Sequence, residues 1–227
     1  MAGSKDAWAR RAVPTTVVFD LGAVLIDWNP RYLYRSLIED SDEMERFLAE
    51  VTTQAWNHEQ DRGRRWADAV AELVERHPDR ADLIRAYHER WPEMLGDAID
   101  GTVAILADLR DAGVALYALS NWSDETFHIA LARYPFLAWF HGIVISGEVG
   151  EAKPEPAIYE ALMARHQVDP KESVFIDDQP ANVEAARRIG FTAIRFTDPL
   201  ALRAQLEALG VLGASSPSRA AATGSDG

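Results

Sequence analysis

Five short apolar runs alternate with helix-like stretches along most of this chain, and that alternation leaves few folds open. The runs lie at 15–19, 114–119, 142–145, 173–176 and 192–196. The first is β-branched and apolar throughout, as expected of a strand buried on both faces. Between the runs, apolar residues recur at helical spacing. Ile105, Leu106, Leu109 and Ala112 make one face that stops at Gly113. Ala157, Ile158, Ala161 and Leu162 make another. Leu202, Leu206 and Leu209 make a last one, closed by Gly210. Further helices are expected at 124–133 and at 183–189, the latter ending at Gly190. Strands separated by helices require crossover connections, so the expected fold is α/β, a doubly wound and mainly parallel sheet with helices on both faces.

The alternation is interrupted once. From Asn29-Pro30 to about Gly96 helical periodicity dominates and strand signals vanish. Trp66, Ala69, Val70 and Leu73 share one amphipathic face, and Leu83, Ile84, Tyr87 and Trp91 form a second apolar set before Pro92. An all-helical cap of four or five helices is therefore expected at 29–96, inserted into a core made of 15–28 and 97–212. Residues 1–14 and 213–227 are expected to be flexible tails.

Composition removes several functions. A formal net charge of −13 over 227 residues argues against a nucleic-acid surface, which needs clustered Lys and Arg. It leaves room for a small anionic substrate, since one local cation can dominate a cleft. The chain has no cysteine, so thiolate chemistry and disulfides are out. No apolar run approaches the ~18 residues of a membrane span, and the first 14 residues lack a secretory h-region. A cytoplasmic protein is the expectation.

Polar residues stand at the ends of the expected strands. Asp20 follows the first, Ser120-Asn121 the second, and Asp177-Asp178 the fourth, while Lys153 sits in the Gly- and Pro-rich loop 147–156. In a parallel sheet these strand ends share one edge, where ligands bind. A carboxylate there costs desolvation unless something uses it, and two adjacent carboxylates repel unless a cation is near.

These residues resemble the four ordered motifs of the haloacid dehalogenase-like hydrolase superfamily. The motifs match at residues 17–25 around Asp20, at Leu119-Ser120-Asn121, at residues 153–159 starting from Lys153-Pro154, and at residues 174–178 ending in Asp177-Asp178. The resemblance spans about 17–196 and implies a Rossmann-like core with a helical cap between the first two motifs. It implies Asp20 as a nucleophile forming an aspartyl intermediate, Ser120 and Asn121 as holders of the transferring group, and Lys153 as the balancing cation. It implies Mg²⁺ held by Asp20, the Gly22 carbonyl, Asp177 and Asp178. The activity expected from it is a phosphatase of a small phosphorylated metabolite, with sugar phosphates favoured.

Position 22 departs from the pattern. Most phosphatases of the superfamily carry there a second Asp that protonates the leaving group and then activates water. Gly22 has only its carbonyl, so a group worth ~10²–10⁴-fold is missing. Asp27, a cap residue such as His58 or Glu59, or an acidic leaving group could substitute. The departure also admits a 2-haloacid dehalogenase, which uses the same Asp without metal. Those enzymes carry small polar residues where this chain has Asp177-Asp178, which favours the phosphatase. A catalytically weak phospho-ligand-binding protein is a further alternative. In the cap, Trp56, Asn57, His58, Gln60, Asp61 and Arg62 are polar candidates, and Trp56 with Arg62 could grip the substrate. Trp56 fits the cap's own core equally well.

Overall fold

A computed structural model describes residues 13–213 of the chain. Strand β1 (Thr16–Phe19) is followed by a short β2 (Ile26–Trp28). A helical segment comes next: α1 (Arg31–Tyr34), α2 (Ser41–Glu50), α3 (Gln54–Asp61), α4 (Trp66–Arg76) and α5 (Ala81–Glu89). Strand β3 (Leu95–Ala98) closes it, and then helices and strands alternate: α6 (Asp100–Asp111), β4 (Ala115–Ser120), α7 (Asp124–Arg133), β5 (Gly142–Ile145) and α8 (Ser146–Val149). The chain continues through α9 (Pro156–His166), β6 (Ser173–Asp177), α10 (Pro180–Ile189), β7 (Thr192–Arg195) and α11 (Pro199–Ala208). The expected flexible tails lie almost wholly outside the described residues.

Five strands form one parallel sheet in the order β5-β4-β1-β6-β7. Successive residues of its strands alternate faces, as a pleat requires. Val17 and Phe19 join Leu116, Ala118, Val174 and Ile176 in a core that includes Ile105 and Leu109 of α6 and Leu202 and Leu206 of α11. Val18, Leu119 and Phe175 face the other way, onto Ile158 and Leu162 of α9 and Val183 and Ala186 of α10. The sheet is thus covered on both faces, an α/β doubly wound arrangement. The order of connection reverses at β1, whose neighbours β4 and β6 lead to opposite edges. The crevice beyond the carboxyl ends of β1 and β6 is the topological switch point.

Local chemistry explains the element ends. Asp40 accepts from the Glu43 amide at 2.8 Å to start α2, and Thr53 accepts from the Trp56 amide at 3.0 Å to start α3. Proline occupies the first turn of α9, α10 and α11, where no amide hydrogen is needed. Gly113 (φ +77°) and Gly190 (φ +118°) take the left-handed backbone that stops α6 and α10.

The helical segment differs from expectation at its ends. Strand signals do not vanish there: β2 pairs antiparallel with β3, and Leu95 and Gly96 belong to that ribbon. Strands of three and four residues with a shifted register leave no readable alternation in sequence. The segment's own core is aromatic. Trp66, fully buried, stacks on Tyr87 at 5.6 Å and meets Trp56 edge-on at 5.6 Å. Its indole nitrogen donates to Ser123 Oγ at 3.1 Å, which ties α4 to the start of α7. Among the described residues no helix is long and apolar enough to cross a membrane.

Trp66→Ala should therefore destabilise the protein by about 3–5 kcal/mol in urea unfolding, as large-to-small aromatic changes in cores do. A loss below about 1 kcal/mol would contradict this packing.

Candidate active site

Strand register assembles the site. Phe19 pairs with Ala118 on one side and Ile176 on the other, and the Asp20 amide donates to the Ile176 carbonyl at 2.8 Å. Asp20 therefore emerges between the ends of β4 and β6. Ser120 and Asp177 are the last residues of those strands rather than the first beyond them. Asp20 is 7% exposed, and its Oδ1 accepts from the Leu21 amide at 2.7 Å and from Ser120 Oγ at 2.9 Å.

Lys153 reaches the same point from the loop after α8. Its ammonium lies 2.9 Å from Asp20 Oδ1 and donates to Asp177 Oδ2 at 2.7 Å and the Leu119 carbonyl at 2.8 Å. The Lys153 backbone is clamped by Asn121, which accepts from its amide at 2.8 Å and donates to its carbonyl at 2.9 Å. Burial works against the lysine's charge. The carboxylates of Asp177 and Asp20 outweigh that cost and hold its pKa above the ordinary lysine value.

Asp177 has no exposed surface and its oxygens are fully engaged. Oδ1 accepts from the Gln179 amide at 2.9 Å and from Asn182 Nδ2 at 3.0 Å; Oδ2 accepts from Asn182 Nδ2 at 3.1 Å and from Lys153. A carboxylate has about four lone-pair sites, and here four contacts occupy them. The two members of the acidic pair are therefore placed differently. Asp178 opens onto the cavity, whereas Asp177 lies behind it and positions Lys153. Gln179 Nε2 donates to Asp178 Oδ2 at 2.6 Å.

Oxygens of Asp20, Asp177 and Asp178 all lie within 4.8 Å of one another, with one ammonium among them. Burial first, then the charges of Asp177 and Asp178, raise the Asp20 pKa against the pull of Lys153. Asp178 is raised by burial and by Asp177. Three crowded carboxylates with one cation leave an excess of negative charge. An all-oxygen donor set with that excess suits a hard divalent cation such as Mg²⁺.

A cavity of about 210 Å³ sits over these groups. Asp20, Gly22, Ser120, Asn121, Lys153 and Asp178 form its floor, and Trp28, Trp91 and Trp122 stand in its walls. The indole nitrogens of Trp28 and Trp122 are buried without a hydrogen-bond partner. The helical segment contributes Gln54, Asn57, His58 and Asp61 of α3. Their spacing of i, i+3, i+4 and i+7 marks one helix face, and that periodicity is a signal the sequence contained. Burial, followed by the nearby Arg62 charge, lowers the pKa of His58.

Two expected substrate contacts fall elsewhere. Trp56 is on the opposite face of α3, packed edge-on against Trp66 and Tyr87, and does not line the cavity. Arg62 pairs with Glu151 at 2.8 Å and also lies outside it. Asp27, weighed as a substitute acid, accepts from the Tyr32 hydroxyl and is not in the cavity wall, and neither is Glu59.

Replacing Lys153 by Met would leave Asp20 and Asp177 buried without their cation. K153M should cost about 3–5 kcal/mol of stability near neutral pH, measured by urea unfolding. A variant as stable as the wild type would contradict the pairing described.

Residues 14–190 match the model of the haloacid dehalogenase-like hydrolase family. A sesquiterpene phosphatase of Aspergillus oryzae is 25% identical over 195 residues, covering 85% of this chain and 94% of its own length. An (S)-2-haloacid dehalogenase of a Pseudomonas species is 28% identical over 123 residues, 54% of this chain and 52% of that enzyme, so this chain spans about half of its length. In fold, the chain is like a family enzyme from Bacteroides thetaiotaomicron solved with magnesium and inorganic phosphate (TM-score 0.62, 23% identity, 82% of this chain and 95% of that one). The chain belongs to the haloacid dehalogenase-like hydrolase family.

Proposed function

We propose that this hydrolase is a Mg²⁺-dependent phosphatase of a small phosphorylated metabolite, acting through a phosphoryl group carried on Asp20. The observation that carries the reading is the charge of the floor: three carboxylates crowd together, the single lysine pairs with two of them, Asp20 and Asp177, and the third, Asp178, opens onto the cavity. Without a metal, that floor would repel an anionic substrate of either kind. With Mg²⁺ bound, it would attract a phosphate. Asp20, Asp178 and the Gly22 carbonyl would hold the ion, with Asp177 behind them. Bound there, Mg²⁺ supplies charge neutralisation for the phosphoryl oxygens.

The remaining roles belong to the protein. Asp20 Oδ1 is held by the Leu21 amide, Ser120 and Lys153, which fixes the carboxylate for attack in one orientation. Ser120 and Lys153 are then adjacent to the oxygens of the transferring group. Asn121 keeps Lys153 in place from the backbone side. The leaving group would occupy the space between Trp28, Trp91 and Trp122 and the amides of Gln54 and Asn57. Flat aromatic walls and side-chain amides suit a small polyol or sugar ring. The sequence similarity to a phosphatase over most of both chains supports the reaction class, and the magnesium and phosphate of the Bacteroides enzyme agree with it. A 2-haloacid dehalogenase is the second reading, favoured by Gly22 and by the Pseudomonas relative.

A paired screen of phosphorylated metabolites and short haloacids tests this. Phosphate release that needs Mg²⁺, stops with EDTA and disappears in Asp20→Asn is expected. Chloride release from 2-chloropropionate that EDTA leaves intact would sink the phosphatase reading. Mg²⁺ at about 100 times its Kd should also stabilise the wild type by roughly 2.7 kcal/mol, and Asp178→Asn far less.

A further inference from the structure

Asp61 is the one carboxyl that the helical segment adds to the cavity wall, and nothing above uses it. It ends α3, where the segment rests on the α/β core. The Asp61 carbonyl accepts from Ser146 Oγ, and the next residue, Arg62, pairs with Glu151 of the loop that carries Lys153. Gly63 packs so closely on the core that an added Cβ would lie 3.1 Å from the Gly147 carbonyl. The Asp61 side chain is fixed too. Asn57 Nδ2 donates to Oδ2 at 3.1 Å, and Tyr87 holds Asn57 by donating to Oδ1 at 3.1 Å. No Lys or Arg among the described residues lies within ion-pair distance of it. This carboxyl is held firmly, has no cation within ion-pair distance and lines the same cavity as Asp20. Burial, with a smaller contribution from the Asp20 charge and against the Ser123 amide, pushes it up to about 7, so near neutrality it can both give and take one.

At Gly22 the structure shows the complementary gap. A Cβ built there meets nothing within 4 Å, so the position facing the cavity is open.

We infer that Asp61 is the general acid and base of the reaction, supplied by the helical segment in place of the side chain that Gly22 lacks. This rests on the phosphatase reading above. In the first half, Asp20 forms a bond to phosphorus as the ester P–O bond breaks, and the departing oxygen takes the Asp61 proton. In the second, the Asp61 carboxylate takes a proton from water, whose oxygen bonds to phosphorus as the bond to Asp20 breaks. The products are the alcohol and inorganic phosphate, and Asp61 ends protonated as it began.

Asp61→Asn keeps the shape and removes the proton. With Mg²⁺, rapid mixing should show that this variant releases 4-nitrophenol from 4-nitrophenyl phosphate in a burst within tenfold of the wild-type rate, because that leaving group needs no acid. Turnover should then stall. An alkyl phosphate such as glycerol phosphate should lose roughly 10²–10⁴-fold already in the first step. Gly22→Asp added to Asp61→Asn should restore steady turnover, which also shows that the single variant folds. If Asp61→Asn slows the first step of both esters equally while the wild type hydrolyses both, Asp61 is not the acid, although the phosphatase reading stands. If the wild type hydrolyses neither ester and no phosphorylated metabolite of the paired screen, the phosphatase reading fails and takes this assignment with it.

Discussion

A single buried ammonium holds the working edge of this sheet together. Lys153 touches the ends of three neighbouring strands at once: the Leu119 carbonyl of β4, Asp20 beyond β1 and Asp177 of β6. Each carboxylate would be costly to bury alone, and the lysine would be too. Together they are mutually satisfied, with Asn182 and the Gln179 amide completing Asp177 and Asn121 completing the Lys153 backbone. The site's orientation follows from this pairing, as does its remaining charge. One lysine cannot balance Asp20, Asp177 and Asp178, and the side that remains negative, Asp178, is the side that faces the cavity.

Much of this was legible in the sequence because strand ends are. Apolar runs of four to six residues, broken by Asp20, by Ser120-Asn121 and by Asp177-Asp178, put three elements of the site on one edge. The unequal roles of Asp177 and Asp178 were not legible, since adjacent residues at a strand end point in different directions and only packing decides which is buried. The β2–β3 ribbon escaped because its strands are too short to show a period. Trp56 was misjudged for a rotational reason, and Arg62, just past the end of α3, because Glu151 engages it. On α3, Trp56 and Gln60 turn toward the segment's own aromatic core, while Asn57, His58 and Asp61 turn toward the cavity. A helical wheel separates those faces, but which face meets the core domain depends on how the segment docks.

Docking is also where substrate choice and proton transfer would meet. The floor of the cavity comes from strand ends and the Lys153 loop and carries crowded carboxylates beside one lysine. Its walls come from Trp28 and Trp91, at the two ends of the helical segment, from Trp122 after β4, and from α3. The leaving group would therefore be read by aromatic faces and amides on elements whose relative position is fixed by Trp66, Ser146 and the Arg62–Glu151 pair. A binding wall that also carries the acid would couple recognition of the leaving group to its protonation, which is economical where residue 22 has no side chain.

The central claim is that Asp20 carries the phosphoryl group. Rapid acid quench of wild-type protein mixed with Mg²⁺ and a substrate ester, followed by mass spectrometry of the peptide containing Asp20, tests it directly. This peptide should gain the mass of one phosphoryl group, on Asp20, within the first turnover. Active enzyme whose Asp20 is never phosphorylated at any quench time would contradict it.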